Sequence, residues 1–215
     1  MVPAKHFYMI RHGETTANKA RKMAGSLDSP LTDFGREQAA HVQNIVADLE
    51  IKPKAIVHSN LSRARDTASI INQALNVPMH EEADLAELHA GDWEGVPYDE
   101  CQDLLTGWPD PPNGETFSEF CARIRNGKTK ALSQHDTPVL IVSHGGVFRA
   151  FGGVYGLKTP GIFRNCHLYE FQPDPSNDIF PWKVWSYDYE SKVERVSVDV
   201  YHLSERMEIT DQVAE

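Results

Sequence analysis

Hydrophobic and polar positions along this chain fall into blocks whose spacing switches between strand-like and helix-like. Phe7-Tyr8-Met9-Ile10 is an apolar run of strand length and opens the series. Thr32 then stands as the N-cap of a helix with Val42, Ile45, Val46 and Leu49 on one face. Ala55-Ile56-Val57 reads as a short buried strand. A helix capped by Ser62 follows it, with Ala64, Ala68, Ile71 and Leu75 at helical spacing. Thr116-Phe117-Ser118-Glu119 has the form of a capping box, and the helix behind it turns Phe120, Ile124 and Leu132 inward. Gly127 within that helix costs about 1 kcal/mol relative to Ala, which predicts a bend or a loose turn. Val139-Leu140-Ile141-Val142, four branched apolar residues in a row, suits a central strand covered on both faces. A helix from about Gly146 to Tyr155 comes next. Two further strands, Leu168 to Phe171 and Val184 to Tyr187, flank the turn-rich segment Pro173 to Asp178.

Strand–helix alternation of this kind predicts an α/β fold: a mainly parallel central sheet with helices on both faces and the late strands available as an antiparallel edge. The stretch from Asp92 to Gly114 breaks the pattern. It holds Trp93, Pro97, Trp108, Pro109, Pro111 and Pro112, with a weak helical patch near Asp99 to Leu105. It reads as an excursion over the sheet edge, spanning about residues 90–116, and as a candidate lid. The polar tail after Leu203 is expected to fray. With no repeat and no linker composition, residues 1–215 read as one domain.

Charge narrows the partners. A formal net charge of -10 and a sequence pI near 5.4 argue against nucleic acid and anionic membranes, which reward a basic face. No stretch of 18 apolar residues occurs. Cys101, Cys121 and Cys166 are odd in number and irregularly spaced, a poor disulfide framework. They read as buried small hydrophobes of a reduced, cytoplasmic protein. Any site for a phosphate ester must be a local basic pocket in an acidic chain.

Four segments supply such a pocket. Arg11-His12-Gly13 follows the first strand, and Ser59 to Ala64 follows the second, with Arg63 in the first turn of a helix. Glu87 lies in the Leu85 to Gly95 block, and Ser143-His144-Gly145-Gly146 follows the central strand. Three of the four end a strand or open a helix at one sheet edge, where open α/β sheets bind ligands. Neutral His12 can attack phosphorus and form a phosphohistidine. Arg11 and Arg63 can offset the phosphoryl charge through forked hydrogen bonds. His144 can donate to an equatorial oxygen, and Gly145 lets the backbone approach closely. An alkoxide is a poor leaving group, so a carboxylic acid should protonate it. Glu87 can do so, and can then take the proton of the water that hydrolyses the phosphohistidine. This chemistry needs no metal and no cofactor, because the arginines do the electrostatic work.

Taken together, these blocks resemble the histidine phosphatase superfamily in its phosphoglycerate-mutase-like branch, over about Phe7 to Phe171. The resemblance rests on residues 11–15, Asn18, Gly25, Ser29 to Gly35, Ser59 to Ala64 with Thr67-Ala68, Glu87 to Gly95, and Ser143 to Gly146, in family order. It implies a three-layer α/β/α sandwich of the phosphoglycerate-mutase-like kind. It also implies His12 as nucleophile, Glu87 as proton donor, and Arg11, Arg63, His144 and Asn18 as phosphate ligands.

Departures from the mutase pattern imply a phosphatase-type member. The stretch from Glu87 to His144 is short, acidic and Pro-rich where mutases carry a longer basic insertion. Ala24 and Ala90 replace a hydroxyl residue and a Tyr, and Pro111 to Thr116 resembles the phosphatase members. Phosphoglycerate mutase is the alternative, and a non-catalytic phosphate-binding module the further one. No Lys or Arg lies between Glu87 and Thr116. The expected substrate is therefore a small-molecule monoester of a sugar, polyol, nucleoside-like or amino-acid alcohol. Glu14 and Glu94 read as structural, His58 as a packed or hydrogen-bonded residue, His89 as a candidate pocket wall, and Trp93 and Trp108 as lid packing. His6, His41, His80, His135, His167 and His202 lack metal-ligand spacing. The oligomeric state is left open, a homodimer through the late strands included.

Overall fold

The computed structural model describes residues 1–101, 107, 109–159, 163–187 and 195–206. Four strands and five helices build the part that matters for the site. Strand β1 (Phe7–Arg11) leads through the single-turn helix α1 (Thr16–Lys19) to α2 (Asp33–Ala47). Strand β2 (Ala55–His58) leads to α3 (Ser62–Leu75) and the short edge strand β3 (Met79–Glu81). Helix α4 (Phe117–Gln134), strand β4 (Val139–Ser143) and helix α5 (Gly145–Gly153) follow. The chain continues through β5 (Leu157–Lys158), β6 (Leu168–Pro173), β7 (Trp182–Tyr187), β8 (Arg195–Ser197) and β9 (His202–Arg206).

Seven strands form one sheet in the order β3-β2-β4-β1-β6-β7-β8. The first four are parallel, and β6, β7 and β8 add the antiparallel edge. The period of two sorts side chains between the faces. Phe7, Met9, Val139 and Ile141 pack with Phe120, Ile124, Phe148 and Phe151 of α4 and α5. Tyr8, Ile10, Leu140 and Val142 pack with Val42, Ile45, Ala64, Ala68 and Ile71 of α2 and α3. The result is the expected three-layer sandwich.

Several local expectations change. The cap of α3 is Leu61 with no side-chain bond; the amide and hydroxyl of Ser62 both go to Asp28 Oδ1, at 3.1 and 2.6 Å. Helix α4 runs through Gly127 without a break. A Cβ there would lie 2.9 Å from Asp84 Cβ, so the glycine admits the Ala83–Leu85 turn against the helix. Helix α5 stops at Gly153 rather than Tyr155. The tail is not frayed as far as Arg206, because β9 pairs with β5; residues 207–215 lie outside the described residues. Of the helical patch expected near Asp99 to Leu105, Tyr98–Glu100 is a 3-10 turn and the rest falls on residues 102–106, which with Trp108 lie outside the described residues. No described helix is long and apolar enough to cross a membrane.

Two of the buried ionisable groups among the described residues, Lys128 and Glu170, stand in the scaffold away from the ends of β1, β2 and β4. Lys128 of α4 is fully buried, its Nζ 3.8 Å from the Phe151 ring centroid and 3.0 Å from Met9 Sδ. Burial pushes its amine well below the ordinary lysine value. Glu170 of β6, 1% exposed, accepts from His6 Nε2, Gln172 Nε2 and Tyr187 OH and pairs with Arg195. Burial pushes its carboxyl up, but the hydrogen bonds from His6, Arg195 and Tyr187 outweigh it and hold the pKa down at about 2.

Candidate active site

Register brings the motifs together. Arg11 at the end of β1 lies opposite Ser143 at the end of β4, and His58 at the end of β2 lies opposite Val142. All three strands are parallel, so Arg11-His12, Ser143-His144 and His58-Ser59 leave the sheet side by side at its C-terminal edge. The backbone seals that edge: His12 N donates to Ser143 O at 3.0 Å and Ser59 N to Val142 O at 3.1 Å.

His12 is 3% exposed and its ring centroid is 5.2 Å from that of His144. Its Nδ1 lies 2.7 Å from the carbonyl oxygen of Gly13, which can only accept. The proton therefore sits on Nδ1 and the lone pair on Nε2. Burial first, then the charges of Arg11 and Arg63, hold the ring well below the ordinary histidine pKa, so it is neutral near pH 7.

His144, fully buried, carries the opposite tautomer. Its Nδ1 accepts from Arg63 Nε at 3.2 Å, so its Nε2 donates to Ser59 Oγ at 2.8 Å. Burial, then Arg63, His12 and Arg11, push its pKa well down as well. Ser59 Oγ also accepts from Leu61 N at 3.2 Å.

The two arginines are held by neutral groups. Arg63, 1% exposed, donates through Nη1 to Leu27 O at 2.8 Å and through Nη2 to Gly25 O at 2.7 Å. Arg11 donates to Phe163 O at 2.7 Å, and its Nε is buried with no hydrogen-bond partner among the described residues. Neither takes part in an ion pair among the described residues. Their charge is thus fixed in a buried site with no carboxylate in direct contact, a setting that favours an anion. Gly145 opens α5 directly against Arg11; a Cβ there would sit 3.6 Å from Arg11 Nε.

Asn18 closes a capping box with Thr15: its backbone N donates to Thr15 Oγ1 and its Oδ1 accepts from Thr15 N, both at 3.2 Å. Asn165 Nδ2 adds a 3.4 Å contact to the same Oδ1 and a 2.8 Å bond to His12 O. The side-chain carbonyl is therefore spent on structure, and Nδ2 faces Tyr98 OH at 3.5 Å.

Glu87 is half-buried and anchored at both oxygens. Oε1 accepts from Leu88 N at 3.0 Å and Oε2 from Gly146 N, in the first turn of α5, at 3.1 Å. Its charge is felt at Arg11, Arg63 and Arg149. A cavity of about 550 Å³ opens beside it, lined by Ser26, His89, Glu115, Glu119 and Arg123.

The described part of the 90–116 excursion is tied to the body. Met23 N donates to Val96 O, Gly95 N to Met23 O and Tyr98 N to Arg21 O. Glu94 Oε1 accepts from Ser26 N, Ser26 Oγ and Ala90 N, which makes this residue structural, as expected. Glu14 is likewise structural, accepting from Thr32 Oγ1 at 2.8 Å. His58 is buried and bonded to Ser59 O, and Trp93 packs on the core.

Tyr98, Asn165, Arg123 and the hydroxyl of Ser59 are the parts that sequence reasoning did not single out. Tyr98 and Asn165 arrive from loops with no motif around them, and Arg123 is one of several cations on an amphipathic helix. Ser59 lies inside a motif whose recognisable chemistry is that of Arg63. Among the described residues no cluster of three or more metal-ligating side chains occurs.

The family model for the histidine phosphatase superfamily (branch 1) matches residues 7–174. A curated relative, the uncharacterized phosphatase PhoE of Bacillus subtilis, is 38% identical over 166 residues, 74% of this chain and 83% of that protein. Glucosyl-3-phosphoglycerate phosphatase of Mycolicibacterium vanbaalenii is 32% identical over 163 residues, 68% of this chain and 72% of that one. Among solved structures, Bacillus stearothermophilus YhfR superposes with a TM-score of 0.74 at 28% identity, covering 88% of this chain and all of that one.

Proposed function

The chain belongs to branch 1 of the histidine phosphatase superfamily, and we propose that it is a phosphoric monoester hydrolase working through a phosphohistidine on His12 Nε2. The observation that carries this reading is the pair of constraints on His12. Gly13 O fixes the proton on Nδ1, and burial between two guanidiniums keeps the ring neutral. A lone pair is thereby aimed into a positively charged pocket.

The reaction takes two displacements. In the first, Nε2 of His12 bonds to phosphorus while the ester P–O bond breaks, and Glu87 gives its proton to the departing alkoxide. In the second, water attacks phosphorus, Glu87 takes its proton back from that water, and the P–N bond breaks to release inorganic phosphate. Arg11, Arg63, Asn18 Nδ2 and Gly145 receive the phosphoryl oxygens. His144 joins them by taking the proton of a monoester monoanion at Nδ1: Nδ1–H then donates to the phosphoryl dianion so formed, in place of accepting from Arg63, while Nε2–H stays on Ser59 Oγ. Two fixed guanidiniums match a phosphoryl dianion without a metal ion. No cation lies between Glu87 and Thr116, so contacts for a second phosphate are sparse there and water is the natural acceptor. A small-molecule monoester, of a sugar, polyol, nucleoside or amino-acid alcohol, is the substrate class.

The test is turnover of an aryl phosphate in chelator-treated buffer, with acid-quench trapping of labelled phosphoenzyme. Turnover with an acid-labile phosphoryl group, both absent in His12→Ala, is expected. Activity that survives in His12→Ala overturns the nucleophile. Efficient bisphosphate-dependent interconversion of 2- and 3-phosphoglycerate would make the chain a mutase, and tight phosphate binding without turnover of any ester would make it a binding module.

A further inference from the structure

All five N–H donors of Arg123 are spent at one place. Nε and Nη2 hold Glu115 as a side-on fork at 2.8 and 2.6 Å. Nη1 donates to the carbonyls of Asp84 at 3.1 Å and Ala86 at 3.0 Å, and Nη2 donates to the carbonyl of Glu87 itself at 3.2 Å. The guanidinium rests on the Phe120 ring, 5.0 Å from its centroid. Residues 86–89 belong to no strand or helix, so no ladder fixes their backbone. What fixes it is a planar group on the rigid helix α4, pointing three donors at three carbonyls. Glu115 closes the arrangement: its backbone N donates to His89 O at 2.8 Å, while its carboxylate neutralises the fork.

Gly146 N holds the tip of Glu87, and Arg123 holds its root. We propose that Arg123 is the positioning residue of the general acid, and that Glu115 carries this restraint to the end of the 90–116 excursion. The proposal rests on the reading of Glu87 as acid and base. Arg123 touches no reacting atom: it acts by keeping the Glu87 backbone within the sub-ångström tolerance that proton transfer to a leaving oxygen requires. Without the fork, three carbonyls lose the Arg123 donors and the Glu115 carboxylate keeps only the 3.4 Å contact from His89 N, so the 84–89 segment relaxes toward solvent.

A double-mutant cycle tests this, with Arg123→Gln, Glu87→Gln and the pair, read against phenyl phosphates of graded leaving-group pKa and against the inhibition constant of inorganic phosphate. Glu87→Gln is expected to steepen the dependence of rate on leaving-group pKa, with a loss of about 100-fold or more on the poorest leaving groups. Arg123→Gln is expected to reproduce that steepening at about 10- to 100-fold, with phosphate inhibition unchanged within about twofold. In the Glu87→Gln background it should add nothing. Equal losses on every ester, an additive double mutant, or weakened phosphate inhibition would make Arg123 a general scaffold residue and overturn the proposal. If Glu87→Gln itself leaves the leaving-group dependence unchanged, the acid assignment fails first, and that outcome is read without Arg123. Should Arg123→Gln not fold, Glu115→Gln keeps the three carbonyl bonds and weakens only the pair; it should steepen the same plot by a smaller factor, and a flat response there also overturns the proposal.

Discussion

Gly146→Ala separates the placement of Glu87 from its presence. A Cβ at residue 146 would stand 2.2 Å from Glu87 Oε1, and ordinary contact begins at 3.4 Å, so the carboxylate must recede by about 1.2 Å. The atom that moves ends a flexible side chain, and Phe120 Cε1 at 3.2 Å needs to yield only a few tenths of an ångström. Stability should hold or rise, because residue 146 is in the first turn of α5 and Ala exceeds Gly in helix propensity by up to about 1 kcal/mol. Catalysis should not. The displaced carboxylate leaves the Gly146 N–H, now 3.1 Å away, and a general acid misplaced by about 1 Å forfeits on the order of 100-fold, roughly 2.7 kcal/mol of barrier. The loss should fall on kcat for alkyl phosphates, whose alkoxide needs the proton. A nitrophenyl phosphate needs no acid to depart, so stopped-flow should show a burst of nitrophenol at nearly the normal rate. Slow steady turnover should follow, because in the proposed mechanism Glu87 also takes the proton of the hydrolytic water. Alkyl phosphate turnover within about threefold of the unmodified protein, at unchanged thermal midpoint, would falsify the assignment of Glu87 as the acid.

Three further outcomes follow from groups whose protonation the fold sets. Nitrogen-15 NMR of the imidazoles should find His12 and His144 both neutral at pH 6 and in opposite tautomers, Nδ1–H and Nε2–H; a protonated ring or a shared tautomer refutes the hydrogen-bond assignment. Lys128 is held well below its unfolded pKa, so the native state binds fewer protons and stability should climb as pH rises toward the ordinary lysine value. Lys128→Met should abolish that slope and raise stability at pH 7 by about 1–3 kcal/mol, seen as a higher urea midpoint; an unchanged slope means another group is responsible. Glu170 is depressed from 4.5 to about 2, a stabilisation of roughly 3 kcal/mol, present above pH 4.5 and lost as pH falls through 2. Glu170→Gln should therefore cost on that order in urea unfolding at pH 7, with the gap to the unmodified protein closing between pH 4.5 and 2; a gap independent of pH counts against the network.

The layered core was legible because β1 and β4 carry runs whose alternate residues both have a helix to bury against: Phe7 and Met9 toward α4 and α5, Tyr8 and Ile10 toward α2 and α3. The short strands were not. Met79–Glu81 is three residues long and half-exposed, and Leu157–Lys158 pairs with a segment more than forty residues later, so neither has a local period to read. The same division runs through the site. Arg11, His12 and His144 were legible because parallel register turns adjacency at strand ends into adjacency in space. Tyr98, Asn165 and Arg123 were not, since each acts through a tertiary contact no spacing encodes. The arginines make the point most sharply. Sequence cannot say which cations are spent on carboxylates, and here Arg21, Arg65, Arg123 and Arg195 are paired with Asp99, Asp66, Glu115 and Glu170. Arg11 and Arg63 instead bond neutral groups: the carbonyls of Phe163, Leu27 and Gly25 and, through Arg63 Nε, the ring of His144. Carbonyl dipoles orient a guanidinium without cancelling its charge, so these two keep their field for an incoming anion. In a chain of net charge -10, that is how a phosphate ester can be drawn to one sheet edge: a local surplus of positive charge, desolvated and held in place by the backbone.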